Sequence, residues 1–245
     1  MWARVFIFSC LLQAHASIVS LDLCADQWVL ELVPRTDIFA VTYLAQDPDI
    51  SFLASRAVGL KTHRVHAEEL LDPAIKTAIA MDSLDPFLRN ILTKRGIKII
   101  VLKSPKTLEE MRTQRHFLIK ELGLKDPHVK EIKGYCQGPT AVFYGAAGLS
   151  PGAQTLLDEA LRKAGFKNGF QTFKGWKYVD WEKILNANPS LLFLLEDCPQ
   201  NKSHPFWKHF MKNKKMILLP KRLTLCACSS ATNELIETMK KAHDA

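Results

Sequence analysis

Three cysteines carry the strongest chemical potential in this sequence of 245 residues. Cys24 lies in Asp22-Leu23-Cys24-Ala25-Asp26, directly after a short β-branched run. Cys226 and Cys228 lie near the other end, in Leu225-Cys226-Ala227-Cys228-Ser229-Ser230. As thiolates they would suit a soft metal or haem iron. The competing reading is that they are buried or joined in a disulfide. Cys226-x-Cys228 is too tight for an easy mutual bridge and lacks the CxxC spacing of redox and zinc sites.

Other residues suit a ligand rather than a reaction. Trp176 and Tyr178, followed by Trp181, form an aromatic group in a loop containing Gly175. Such side chains cover the apolar face of a large flat ligand, or else pack a helix on a strand. Trp181 fits the packing reading and Trp176, beside Lys174 and Gly175, fits it less well. His63 and His66 have a spacing that can face one way on a helix, but no third soft ligand lies beside them, so a polar loop is the better reading. The small-residue loop Gly145–Gly152 is neither GxGxxG nor a P-loop, and reads as a strand-to-helix turn. No hydrolase elbow, zincin helix, kinase motif or Rossmann fingerprint occurs, which argues against an enzyme.

The elements that position these residues alternate. Ile18–Leu21, Ile38–Thr42, Ala78–Met81 and Ile97–Leu102 read as strands, with helices over Gln27–Leu32 and Pro86–Arg95 between them. This alternation predicts a parallel α/β sheet. A longer helix follows. It starts near Thr107, with acids in its first turn, and runs to Leu122 ahead of Gly123, with helical pattern resuming from Pro127 to Lys133. A second series begins after Gly138-Pro139. It has strands at Ala141–Tyr144, Ser190–Leu195 and Met216–Leu219, and helices at Gln154–Ala164 and Ala231–Lys241. Ala67-Glu68-Glu69-Leu70-Leu71 before one strand and Trp181-Glu182-Lys183-Ile184-Leu185 before another form a faint internal repeat. The fold class expected is α/β: two lobes with mostly parallel sheets joined by a long bridging helix. The boundaries are 17–103 for the first lobe, 104–134 for the bridge and 135–245 for the second lobe.

Residues 1–16 stand apart. Arg4 precedes the apolar run Val5–Leu12, and Ala14-His15-Ala16 fits a small-x-small cleavage rule, so a secretory signal is expected. Cys10 sits in a poor lipobox, so the mature chain is expected to be soluble. Of six cysteines, five then remain, and an odd number in an oxidising compartment leaves at least one thiol unpaired within the monomer. The formal charge of +8 is spread along the chain apart from Lys212, Lys214 and Lys215. No nucleic-acid motif accompanies it, and a solvated basic surface is expected.

In its order of motifs the chain resembles the periplasmic iron-siderophore and vitamin B12 binding proteins of ABC importers. The opening Ile18-Val19-Ser20-Leu21-Asp22-Leu23-Cys24-Ala25-Asp26-Gln27 carries this, as do Gly59 to Leu71, Arg95 to Leu102 and Thr107-Leu108-Glu109. In the second half, Gly165-Phe166-Lys167-Asn168, the Trp181 helix and Asn188-Pro189-Ser190 continue it. The first lobe departs from the pattern at Ile75-Lys76, where Pro-Asp is usual.

The resemblance implies a non-enzymatic monomer with a ferric siderophore, haem or cobalamin as cargo in an interlobe cleft, and no resident cofactor. Tyr43, Arg64, Trp176, Tyr178, Cys24 and Cys226 are the pocket candidates. Glu68 and Glu182, one per lobe, are implied to dock on the importer permease. The alternatives are a metal or haem redox protein using Cys24 and Cys226/Cys228, and a fold-retaining interaction protein without a working pocket.

Overall fold

A computed structural model describes residues 17–126, 138–195, 210 and 214–244. The expected signal segment, the helical pattern at 127–133, Lys212, Cys136 and Cys198 lie outside the described residues. The first sheet contains β1 (Ser17–Ser20), β2 (Ile38–Thr42), β3 (Thr62–His63), β4 (Ile75–Met81) and β5 (Lys98–Leu102). Its order is β3-β2-β1-β4-β5, with every pair parallel. Alternate residues serve opposite faces, as strand geometry requires. Ile18, Ile79 and Met81 join one core cluster, while Val19, Ala78 and Ala80 join the other. Burial on both faces explains why the strands read as continuous apolar runs.

β4 extends three residues before the expected start at Ala78. Ser17 pairs with Ile75, and Ile18 with Thr77. Lys76 is exposed at this amino end, so a charged residue interrupts the sequence signal without interrupting the ladder. α1 (Leu23–Leu32) also begins earlier than expected. Asp22 is the reason: one of its carboxylate oxygens accepts the Ala25 amide at 2.8 Å and caps the helix. The other accepts the Met81 amide at 2.7 Å, tying the helix start to the carboxyl end of β4.

α2 (Ala54–Ala57) and α3 (Pro86–Lys94) complete the first lobe. α4 (Leu108–Leu122) follows, capped by Thr107 and closed by Gly123 in the left-handed conformation. Its 15 residues span about 22 Å. Met111 and Leu118 pack on the first lobe, while the Leu108 amide donates to Glu159 of the second at 2.6 Å.

The second sheet has order β11-β10-β6-β8, all parallel. Its strands are β6 (Thr140–Tyr144), β8 (Lys167–Asn168), β10 (Leu191–Leu195) and β11 (Lys215–Leu219). Phe143 and Phe193 face one cluster, and Val142, Leu192 and Leu194 face the other. A small antiparallel pair, β7 (Leu149–Pro151) and β9 (Trp176–Tyr178), lies beside it. The helices are α5 (Leu156–Lys163), α6 (Trp181–Ala187) and α7 (Ser229–Asp244). Four of the first sheet's five strands match the second sheet in order, β2-β1-β4-β5 against β8-β6-β10-β11. The internal repeat therefore falls at equivalent places: the Glu68 turn leads into β4, and the Glu182 helix into β10.

α7 serves both lobes. Cys228 and Ala231 at its start join the first lobe's core, while Leu235, Ile236 and Met239 join the second's. No helix among the described residues is long and apolar enough to cross a membrane.

Candidate functional site: the interlobe cavity

The carboxyl ends of parallel strands are where open α/β sheets place their ligands. At these ends a cavity of ≈ 610 Å³ opens between the lobes. This volume lies within the range of small-molecule sites. The first lobe contributes Cys24 and Trp28 of α1, and Met81 at the end of β4. Ser104, Pro105 and Lys106 follow β5 and precede α4. The second lobe contributes Gln154 and the start of α5, Lys174, Gly175 and Trp176, and the 223–227 segment. Trp176 is 47% exposed on the cavity rim, whereas Trp28 is buried at the wall.

Cys24 and Cys226 are joined in a disulfide across the lobes, at this cavity. The thiolate reading of these two residues is therefore corrected. Asp22 places Cys24 in the first turn of α1, within bonding reach of Cys226, and neither sulfur retains a thiolate to ligate a metal. Cys228 is free but fully buried, and burial pushes its thiol up to about 12. It is an inert core residue rather than a redox partner.

Further ties hold the lobes beside the disulfide. The Glu31 carboxylate of α1 accepts the Ser230 amide at 3.0 Å and its hydroxyl at 2.9 Å, at the start of α7. Arg115 of α4 lies 3.7 Å from the other Glu31 oxygen and also pairs with Asp126. Arg222 donates to the Pro48 carbonyl at 3.3 Å. A cleft held at this many points is preformed, so little ordering cost is set against ligand affinity.

The remaining candidates fall elsewhere. Tyr43 and Arg64 follow β2 and β3 at the edge of the first sheet, where the guanidinium sits 4.8 Å from the ring centroid. Neither lines the cavity, nor does Tyr178, 69% exposed on β9. Trp181 stacks on Tyr144 with centroids 4.9 Å apart, as the packing reading expects. Glu68 and Glu182 are both exposed, each in the first turn of its helical segment.

His63 is engaged at both ring nitrogens. Nε2 donates to the Ser20 carbonyl at 2.8 Å, and Nδ1 accepts the Val65 amide at 3.0 Å. Its lone pair is thus taken, and burial lowers its pKa. No group of three or more potential metal ligands occurs among the described residues. The glycine-rich loop has a structural cause: a Cβ on Gly148 would lie 2.4 Å from the Val179 carbonyl oxygen, and one on Gly152 2.3 Å from that of Phe173. Asn168 then fixes this region, donating to the Pro151 carbonyl at 3.2 Å and to Asp158 at 2.9 Å.

The architecture can be compared with solved structures. The periplasmic haem-binding protein HutB of Vibrio cholerae matches with a TM-score of 0.69 and 16% identity, over 93% of this chain and 98% of that one. Helicobacter pylori CeuE with Ni(II) bound matches at 0.65 and 17%, over 93% and 83%. The haem-binding protein RhuT from Roseiflexus sp. RS-1, in apo form, matches at 0.61 and 16%, over 93% and 99%. The chain has the fold of these two-lobed periplasmic binding proteins. No family model and no curated protein matches its sequence. The expected fold class is thus borne out, including two mostly parallel sheets and a helix between them.

Sequence reasoning found Cys24, Trp176 and Cys226 at the cavity but missed Lys106, Lys174, Met81 and Trp28. Position at a strand's carboxyl end was the available signal for Met81, the last residue of β4, and for Lys106, which closely follows β5. Lys174 had none, because an isolated bridge between Ala153 and Lys174 brings it to the rim.

Proposed function

We propose that the protein captures a metal chelate outside the cytoplasm and delivers it to an ABC importer, without catalysing a reaction. The observation that carries this reading is the ≈ 610 Å³ cavity between the facing carboxyl ends of two parallel sheets. The disulfide at its wall supports an oxidising compartment, the periplasm in this reading. Solved structures of the same fold are described as haem-binding or nickel-bound, which favours a haem, ferric siderophore or cobalamin as the cargo class. Among the described lining residues there is no carboxylate, imidazole or free thiol, which favours binding over acid–base or nucleophilic chemistry. Glu68 and Glu182 stand exposed at equivalent positions of the two lobes, an arrangement suited to docking on basic residues of a permease. The carrier acts as a monomer.

Tryptophan fluorescence tests the binding role, because Trp28 and Trp176 both line the cavity. Titration with haem, cobalamin and ferric siderophores is expected to give saturable quenching with at least one of them. Quenching by none would remove the chelate assignment.

A further inference from the structure

We infer that the cargo is a coordinatively saturated chelate of net negative charge, gripped by its outer surface rather than through its metal. This rests on the carrier reading above and narrows it.

The argument begins with what the cavity wall lacks. Among the described lining residues the Met81 thioether is the one side-chain group that commonly ligates a metal, and Met81 is 8% exposed. The Cys24 and Cys226 sulfurs are bonded to each other, and the two indoles offer no lone pair in the ring plane. The Thr155 hydroxyl donates to the Gly152 carbonyl, and that of Thr224 to the Lys221 carbonyl. A hard ferric ion with open positions would find no charged oxygen or imidazole here.

What the wall supplies is cationic. Lys106 lines it from the segment between β5 and α4, and Lys174 from the segment before β9, so the two lysines come from opposite halves of the chain. Neither has an acidic partner among the described residues. The acids nearby keep their charge but do not line the cavity, and their oxygens face other donors. Glu110 accepts the Lys106 amide at 2.7 Å, Glu159 accepts the Leu108 amide, and Asp158 pairs with Arg162 and Asn168. The first turn of α5 lines the same wall and adds the positive end of its dipole. Trp176, two residues after Lys174, adds an aromatic side chain to the same lining. Two cations and an aromatic face suit a chelate whose ligand shell is complete, aromatic and anionic.

The test uses the full chain and three probes. One is a tripodal tris-catecholate complex of iron(III), which is anionic. The second is a tripodal tris-hydroxamate complex of iron(III), which is neutral. The third is haem, which has open axial positions. Fluorescence quenching gives affinity, and visible absorption reports any protein ligand on the metal. The anionic probe is expected to bind about tenfold more tightly than the neutral one, with its absorption band unshifted. Lys106→Gln and Lys174→Gln are each expected to weaken it about fivefold, and added salt to weaken it further. Equal affinity for anionic and neutral probes, or unchanged affinity in both variants, would overturn this inference and leave the carrier reading standing. So would haem binding with a shifted Soret band. Binding of none of the three, nor of cobalamin, would overturn both.

Discussion

Cys24 and Cys226 join the first turn of α1 to the segment ahead of α7, across 202 residues of sequence, with Cα atoms 5.0 Å apart. The bond closes the largest loop in the described chain and lies at the wall of the cavity, so it acts on stability and on cleft geometry together. Cross-links that close long loops restrict the unfolded chain most. Replacing both residues by serine is expected to cost about 4 kcal/mol, measured by denaturant unfolding. Reducing agent should lower the wild-type midpoint to that of the variant. An unchanged midpoint in both cases would show that the bridge is not formed.

Glu31 is the second tie. It caps α7 from another element and sits against the buried Arg115 guanidinium. Truncation leaves a buried cation short of a counter-charge and an amide without its acceptor, and such losses are large. Glu31→Ala is expected to destabilise the fold by about 3 kcal/mol. In a double-mutant cycle, Ser230→Ala should cost clearly less in the Glu31→Ala background than alone. Additive costs would mean that the two residues do not interact.

Asp26 gives the first lobe a pH dependence. Its carboxylate accepts from the Ser20 hydroxyl and from the Thr42 amide and hydroxyl, yet burial outweighs these bonds and raises its pKa from 3.8 to about 7. A raised folded-state value means that the native protein holds the proton more tightly than the unfolded chain. This contribution to stability is therefore full below about pH 4 and lost as pH rises through about 7. Relative to Asp26→Asn, the wild type is expected to lose stability steadily across that window in thermal melts. A constant difference between the two proteins would contradict it.

The inner strands were legible because both of their faces are buried, which leaves unbroken apolar runs such as Leu191–Leu195. β9 was not, since Trp176, Lys177 and Tyr178 are all exposed and show no alternation. The start of α1 was hidden because Asp22 reads as a turn residue, and only its bonds to Ala25 and Met81 reveal a cap. The cysteine pairing was equally hidden: nothing local in Cys226-Ala227-Cys228 tells the bonded residue from the buried one. Tyr43 and Arg64 follow strands, as ligand residues do, but their strands lie toward the β3 edge of the sheet, away from the cavity.

Glu68 and Glu182 make a separate claim about the partner. Reversing both charges, Glu68→Arg with Glu182→Arg, is expected to abolish importer-dependent uptake while changing cargo affinity less than twofold. Transport in reconstituted vesicles and fluorescence titration of the same variant measure the two effects. Normal transport would exclude these residues from the docking surface.

The central claim is that cargo occupies the cavity between the lobes. Ala227 lines that cavity and is half-buried, so a large side chain there takes up ligand space without entering either core. The decisive measurement is calorimetric titration of Ala227→Trp against wild type, with the chelate that quenches wild-type fluorescence most strongly. A fall in affinity of at least about a hundredfold, with the melting temperature kept, is the predicted result. Unchanged affinity in the filled variant would place the ligand elsewhere and contradict the account.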